Sequence, residues 1–520
     1  MTQSRSLRKL TLSRAVLTVA FVVVGAMLSA ALAQSRDRLV IALPIDITIP
    51  DLHKGSGLPA FGAVAQIADP LVLERDGEIE PWLAESWEYT DGGRNLIFKI
   101  REGVMAHDGT EITAEDVAWS INRFRDISIG RSSLAVVTDV VALDDYRVQV
   151  STEEPFAPLL ATFSYTLIGV YSKDGYDAAG SDEAFSLHPV GPGPYKFAEW
   201  VPGQRLVLEA FEDYWAGAPA IQTVEFRVIL DEAARVAALE AGEVDAIHAF
   251  APIEAERLAT NPEINVINPP SAGFIRFNMN TQRPPFDDPR VRRAMAHAID
   301  REAIDEAIFL GTAPVAHSLV PAGTFGYTEE FDTYDYDPER ARELLAEAGV
   351  PDLSFELAYG AGRYLLDSEV VTIVQAQLAE IGVTANIRAM EWAQFSEYIR
   401  QPPAESQTQM NLTWWRSVNG DPDSAIGVFT AAEMPPAGNN PTYYESEEFE
   451  RLYAAQQTEP DPDARRELLR DLQRVLMEDL PAIPMYQQPQ LWAARSDVVG
   501  LEDVITPLST LRPIHTVTIE

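Results

Sequence analysis

Residues 274–304 read FIRFNMNTQRPPFDDPRVRRAMAHAIDREAI, and their spacing fixes the character of the second half of the chain. Pro285-Phe286-Asp287-Asp288 places short acids directly ahead of an apolar repeat formed by Val291, Met295 and Ile299. An Asp there accepts hydrogen bonds from the first free N–H groups of a helix. The pattern therefore predicts a helix over 288–298, capped by Asp287 or Asp288, with those three side chains facing inward. Residues 301–308 repeat the helical period. Further along, 338–349, 368–382 and 463–480 read as helices that each end near Gly or Pro, with short strands at 355–359, 384–389 and 410–415 between them. Helix and strand in alternation predict an α/β lobe with a mixed sheet.

Working back toward the amino end, the rhythm is different. Residues 38–43 form an apolar strand, and 96–101 alternate over a Gly92-Gly93 turn as in a hairpin. Thr113 stands ahead of Glu115 and Asp116, acids that suit the positive end of a helix dipole. Strands at 137–141 and 147–151 flank a turn; a strand at 224–230 leads to a helix at 232–241 closed by Gly242. No Pro/Gly/Ser linker divides the chain, so its parts are expected to share crossing segments.

The chain has 520 residues, 46% hydrophobic and 23% charged, ordinary values for a globular protein. Forty Lys+Arg against 79 Asp+Glu give −39, which argues against binding nucleic acid or an anionic membrane surface. The absence of cysteine excludes disulfides, thiol catalysis, Fe–S clusters, thiolate zinc sites and a lipid-anchored Cys. Arg5, Arg8, Lys9 and Arg14 precede an uncharged run from Ala15 to Ala33 that ends in Ala31-Leu32-Ala33. This is the layout of a signal peptide over 1–33, against the rival of an uncleaved anchor. The mature chain is then expected to be exported, soluble and still more acidic.

The seven His residues are dispersed, and no metal-binding pair, nucleophile elbow or phosphate loop occurs. No enzyme activity, metal or cofactor is expected, an exported hydrolase being the weaker rival. Instead three information-rich blocks stand out: GEIEPWLAESW at 77–87 with its continuation to Arg123, GPGPYKFAEWVPGQRLVLEAFEDYW at 191–215 followed by AGEVDAI at 241–247, and the 274–304 block. With these, the sequence resembles the extracytoplasmic solute-binding proteins of ABC importers, specifically the large family-5 class of dipeptide and oligopeptide receptors. The resemblance runs from about Leu39 to the carboxyl end.

It implies an α/β, two-lobed periplasmic-binding-protein fold of the class II type, with an extra subdomain inserted in lobe one and two hinge crossings. The crossings are expected near Phe277–Asn280 and Pro484–Gln488. Lobe one is then 35–278 with 486–520, its extra subdomain about 70–190, and lobe two 279–485. The protein would be a periplasmic monomer that encloses a small-molecule ligand, a peptide or an oligosaccharide, and docks on an ABC permease.

Peptide receptors of this class hold the ligand's free amine with an Asp in a Trp-x-x-Asp arrangement. The matching stretch is Thr413–Asp423, TWWRSVNGDPD. Aligned through its Asp-Pro, Trp415 takes the Trp position and Val418 replaces the Asp. Asp421 or Asp423 would substitute if the loop is shifted; otherwise both are turn residues. Trp414, Trp415, Tyr359, Tyr364 and Trp392 offer a stacking wall or core packing. Neighbours Trp414 and Trp415 point to opposite faces of a strand, so at most one is expected to line the cleft. Arg416 suits a ligand carboxylate or phosphate, and Asn419 lies in the same loop.

Overall fold

The computed structural model describes residues 37–55, 58–75, 77–507 and 510–520; the expected signal peptide at 1–33 lies outside the described residues. The strand Arg38–Leu43 is apolar throughout after Arg38 and buried on both sides, as a central parallel strand must be. It pairs in parallel with Thr223–Val228 and Ala246–His248. A seven-stranded sheet grows around it in the order Ile264–Ile267, Trp492–Arg495, Ala246–His248, Arg38–Leu43, Thr223–Val228, Arg205–Ala210 and Tyr195–Val201.

A second sheet of five strands runs Thr384–Met390, Ser354–Gly360, Met410–Arg416, Gly273–Met279 and Ala482–Gln487. Each sheet has its own apolar core, so the molecule is an α/β protein of two lobes. Within the first, Ala84–Thr90, Asn95–Ile100, Arg147–Thr152 and Val137–Asp144 form a separate four-stranded antiparallel sheet. The helix Ala114–Ile127 covers it and begins with a capping box between Thr113 and Asp116.

The helix Pro289–Ala298 forms as its spacing dictates. Asp288 accepts from the Arg290 N–H at 2.8 Å, and Val291 and Met295 are buried beneath it.

The first crossing between lobes lies ahead of the stretch the sequence reading expects, and the second follows directly on Pro484–Gln488. Phe277 sits in mid-strand, opposite Leu412 on one side and Ile483 on the other. Tyr486 and Gln487 likewise pair within the second sheet. The chain therefore passes between sheets at 268–272 and 488–491. Pro269-Pro270 and Pro489, which carry no N–H for a ladder, mark both passages.

The two lobes touch. The Ala157 N–H donates to the Gln457 carbonyl at 2.6 Å, the Ser164 hydroxyl donates to the Asn419 carbonyl at 3.3 Å, and Arg466 pairs with Glu78. Among the described residues no helix is long and apolar enough to cross a membrane.

Candidate functional site between the lobes

In the second sheet, Ser354–Gly360 and Met410–Arg416 run parallel, so their carboxyl ends share one edge. Loops at the carboxyl ends of strands are where α/β sheets place ligands. The first such loop is shaped by the buried Asp367, whose carboxylate accepts from the N–H groups of Gly362, Arg363 and Tyr364 at 3.1, 2.8 and 3.0 Å. The second, 417–422, faces the other lobe. Val418 packs on the core of lobe one, and Gly420 is in the left-handed region at φ 73° beside the Glu74 side chain.

Three spaces adjoin these loops, one of them a pocket of ≈ 270 Å³ between Gly420, Asp421 and Arg465 of lobe two and Trp87, Tyr89 and Phe156 of lobe one. A cavity of ≈ 60 Å³ lies between the lobes, bordered by Ala68, Glu74 and Ser164 on one side and by Val418, Asn419 and Gly420 on the other. A pocket of ≈ 170 Å³ lies within lobe two, walled by Tyr364, Trp392, Trp414 and Trp415 with Arg363 and Arg400 at its edge. No Asp or Glu borders this pocket, in a chain that carries 79 of them.

The two tryptophan rings lie apart. Trp415 is half-buried; its indole N–H donates to the Ser424 carbonyl at 3.3 Å, and its face lies 5.2 Å from the Arg276 guanidinium. Trp414 packs against Gly273 with the Arg416 guanidinium 5.2 Å over its ring. Both nonetheless border the lobe-two pocket, which reaches around the strand end. Arg416 is largely removed from water, faces the Tyr165 phenol of the other lobe, and leaves one guanidinium nitrogen without a hydrogen-bond partner. Asn419 offers its carbonyl to Ser164 and its side-chain oxygen to the Asp421 N–H at 3.2 Å.

Three expectations need correction. Tyr359 is not part of a stacking wall: it is buried in the lobe-two core, with its hydroxyl 3.1 Å from Ser368 Oγ. Asp421 is buried and held by both terminal guanidinium nitrogens of Arg465, at 2.6 and 2.8 Å. Asp423 is also enclosed; Gln456 and Gln457 donate to it at 2.7 and 3.1 Å, and burial pushes its carboxyl up to about 6. Neither acid is free to replace the amine clamp missing at Val418. Arg465 lies 44 residues beyond Asp421, and no local pattern announces that pairing.

Sequence reasoning passed over Arg276. Its side chain is wholly buried, all three guanidinium nitrogens lack hydrogen-bond partners, and it lies between Trp415 and Phe429, 5.2 and 4.8 Å from their rings. A charged residue inside the apolar run GFIRFNM was the available signal.

Comparison with known proteins gives one consistent result. The family model for bacterial extracellular solute-binding proteins, family 5 middle, matches residues 78–434. The chain is 28% identical to the dipeptide-binding protein of Escherichia coli K12 over 463 residues, covering 83% of this chain and 84% of that one. It is 29% identical to the glutathione-binding protein GsiB of Salmonella typhimurium LT2 over 436 residues, covering 82% and 84%. Among solved structures, the periplasmic binding protein DppA of Helicobacter pylori, in complex with the peptide STSA, superposes with a TM-score of 0.72 at 26% identity, covering 93% of this chain and 98% of that one.

Proposed function

The chain belongs to family 5 of the bacterial extracellular solute-binding proteins, and from that premise we propose that it is the periplasmic receptor of an ABC importer for a peptide-class solute. The solute is held between lobe one, 37–267 with 492–520, and lobe two, 273–487, and is handed to a membrane permease by a monomeric, non-catalytic protein. The named relatives, which bind a dipeptide, glutathione or a bound tetrapeptide, support the solute class.

The observation that carries the reading is Arg416. It stands at a strand end against the opposite lobe, with unused donor capacity and, among the described residues, no carboxylate partner. A solute carboxylate placed there pairs with it in a site shielded from water, where charge-assisted hydrogen bonds are strongest. Because the pairing is complete only when Tyr165 covers it, the solute favours the closed arrangement, and differential affinity of this kind drives hinge closure. Val418 removes the usual acid for an amine, so the carboxylate end bears more of the recognition.

The aromatic wall of Tyr364, Trp392, Trp414 and Trp415 favours one second reading, an oligosaccharide stacked on those rings. A thermal-shift screen of the exported chain against di- to pentapeptides and against maltose-type oligosaccharides separates the two. Ligand at ~100-fold its Kd contributes ~2.7 kcal/mol. Stabilisation by peptides that is lost in R416M is the expected result. Stabilisation by sugars alone overturns it in favour of the second reading.

A further inference from the structure

Arg276 lies directly behind the wall of the lobe-two pocket. Thr413, its register partner on the next strand, and Trp415, on which its guanidinium stacks, both border that space. Tyr364 borders it as well. Beside it, Asn278 and Asn411 bond to one another at 2.9 Å, yet each keeps a buried amide atom without a partner. Burial lowers the guanidinium to about 9, so it still carries its charge at neutral pH.

A buried charge without a counter-charge is strongly unfavourable. Contacts with Trp415 and Phe429 offset part of that through their ring quadrupoles, and no acid among the described residues supplies the rest. We propose that Arg276 anchors a carboxylate subsite in lobe two, occupied by an acidic group of the bound solute, with Trp415 as the displaceable cover. The cover is held by a single hydrogen bond to Ser424 and is only half-buried. Turning it aside opens the pocket to the guanidinium and exchanges a cation–π contact for an ion pair, the stronger of the two in a dry site. The subsite thus selects solutes with an acidic side chain or a second carboxylate. This deepens the receptor reading and rests on it.

The test titrates the full exported chain, wild type and R276M, with Ala-Glu, with its neutral isostere Ala-Gln, and with glutarate and sulfate as free anions. Wild type is expected to bind Ala-Glu at least ~10-fold tighter than Ala-Gln, and R276M to bring the two within ~2-fold. The ligand-free melting temperature of R276M should rise, because an unpaired buried cation has given way to an apolar side chain of similar length. Equal affinity of wild type for the two dipeptides overturns the subsite, without reference to any variant, and leaves the receptor reading standing. A ligand-free R276M that melts lower and keeps the Ala-Glu preference also overturns it. If neither dipeptide binds but glutarate stabilises wild type and not R276M, the peptide reading falls and the carboxylate subsite stands. Sulfate matching glutarate reassigns the occupant to an inorganic anion and overturns the carboxylate assignment; no effect from any of the four overturns both readings.

Discussion

Replacing Asp421 with Asn removes the negative partner of Arg465 while keeping its shape. The pair is almost dry, with side-chain exposures of 4% for Asp421 and 7% for Arg465. Arg465 keeps its hydrogen bonds to the Gln456 carbonyl and side chain, so the loss is mainly that of the counter-charge. Breaking one side of a buried pair costs about 3–5 kcal/mol. Lobe two spans about 215 residues, whose unfolding entropy of ~2.1 cal/mol/K per residue gives ~0.45 kcal/mol/K. Its calorimetric transition should therefore fall by roughly 7–11 °C. The double variant D421L/R465M, apolar on both sides, should recover most of the loss, and the cycle built with the single variants measures the coupling directly. Affinity should drop about equally for amine-bearing peptides and for N-acetylated ones, because Asp421 acts only by shaping the 417–422 loop. The reasoning fails if D421N melts within ~2 °C of wild type while losing amine-bearing peptides selectively. Asp421 would then be a ligand clamp and not a staple.

Two further predictions address closure and pH. At Gly420 a Cβ would both strain a positive-φ position and collide with the Glu74 side chain of the opposite lobe. G420A should lower solute affinity ~10-fold or more and enlarge the radius of gyration in solution scattering; unchanged scattering and affinity would remove Gly420 from the closing contact. Asp69 accepts from the indole N–H groups of Trp82 and Trp215 at 3.1 and 2.7 Å and from the Tyr214 hydroxyl, yet burial pushes its carboxyl up to about 7. Between its ordinary value of 3.8 and about 7 the folded chain holds a proton that the unfolded chain has lost. The Asp69 contribution therefore falls as pH rises through that window, by about 1.4 kcal/mol per pH unit. Urea melts at pH 5 and pH 7 should show wild type losing ground to D69N by ~2–3 kcal/mol, and parallel behaviour of the two would refute the assignment.

How legible each feature is in the sequence follows the range of the interaction that makes it. The helix Pro289–Ala298 is written locally, in an Asp cap, a Pro at the first position and apolar residues one turn apart. The α/β alternation of lobe two is legible for the same reason. The first crossing is not, because Gly273–Met279 is buried at all seven positions and nothing in its composition says which sheet it joins. The candidate site divides likewise. Trp414, Trp415 and Arg416 could be placed at a strand end from the run that precedes them, but the roles of Asp421 and Asp423 are set by Arg465, Gln456 and Gln457 on distant helices. Tyr359 reads as an aromatic at a strand end, yet only the packed core of lobe two reveals that it is enclosed. Arg276 needed no structure to be suspected: a guanidinium amid Phe, Ile and Met asks where its charge is answered.

The strand Trp492–Arg495 is bordered on both sides by strands drawn from 246–267. A chain that emerges amino end first can complete lobe two, contiguous over 273–487, while the larger sheet still lacks an interior strand. Throughout that interval Ala246–His248 and Ile264–Ile267 present open ladder edges about two strand spacings apart, a template for stray pairing. Lobe one is thus finished only when residues as late as Trp492–Arg495 are available, which ties ligand competence to a nearly complete chain.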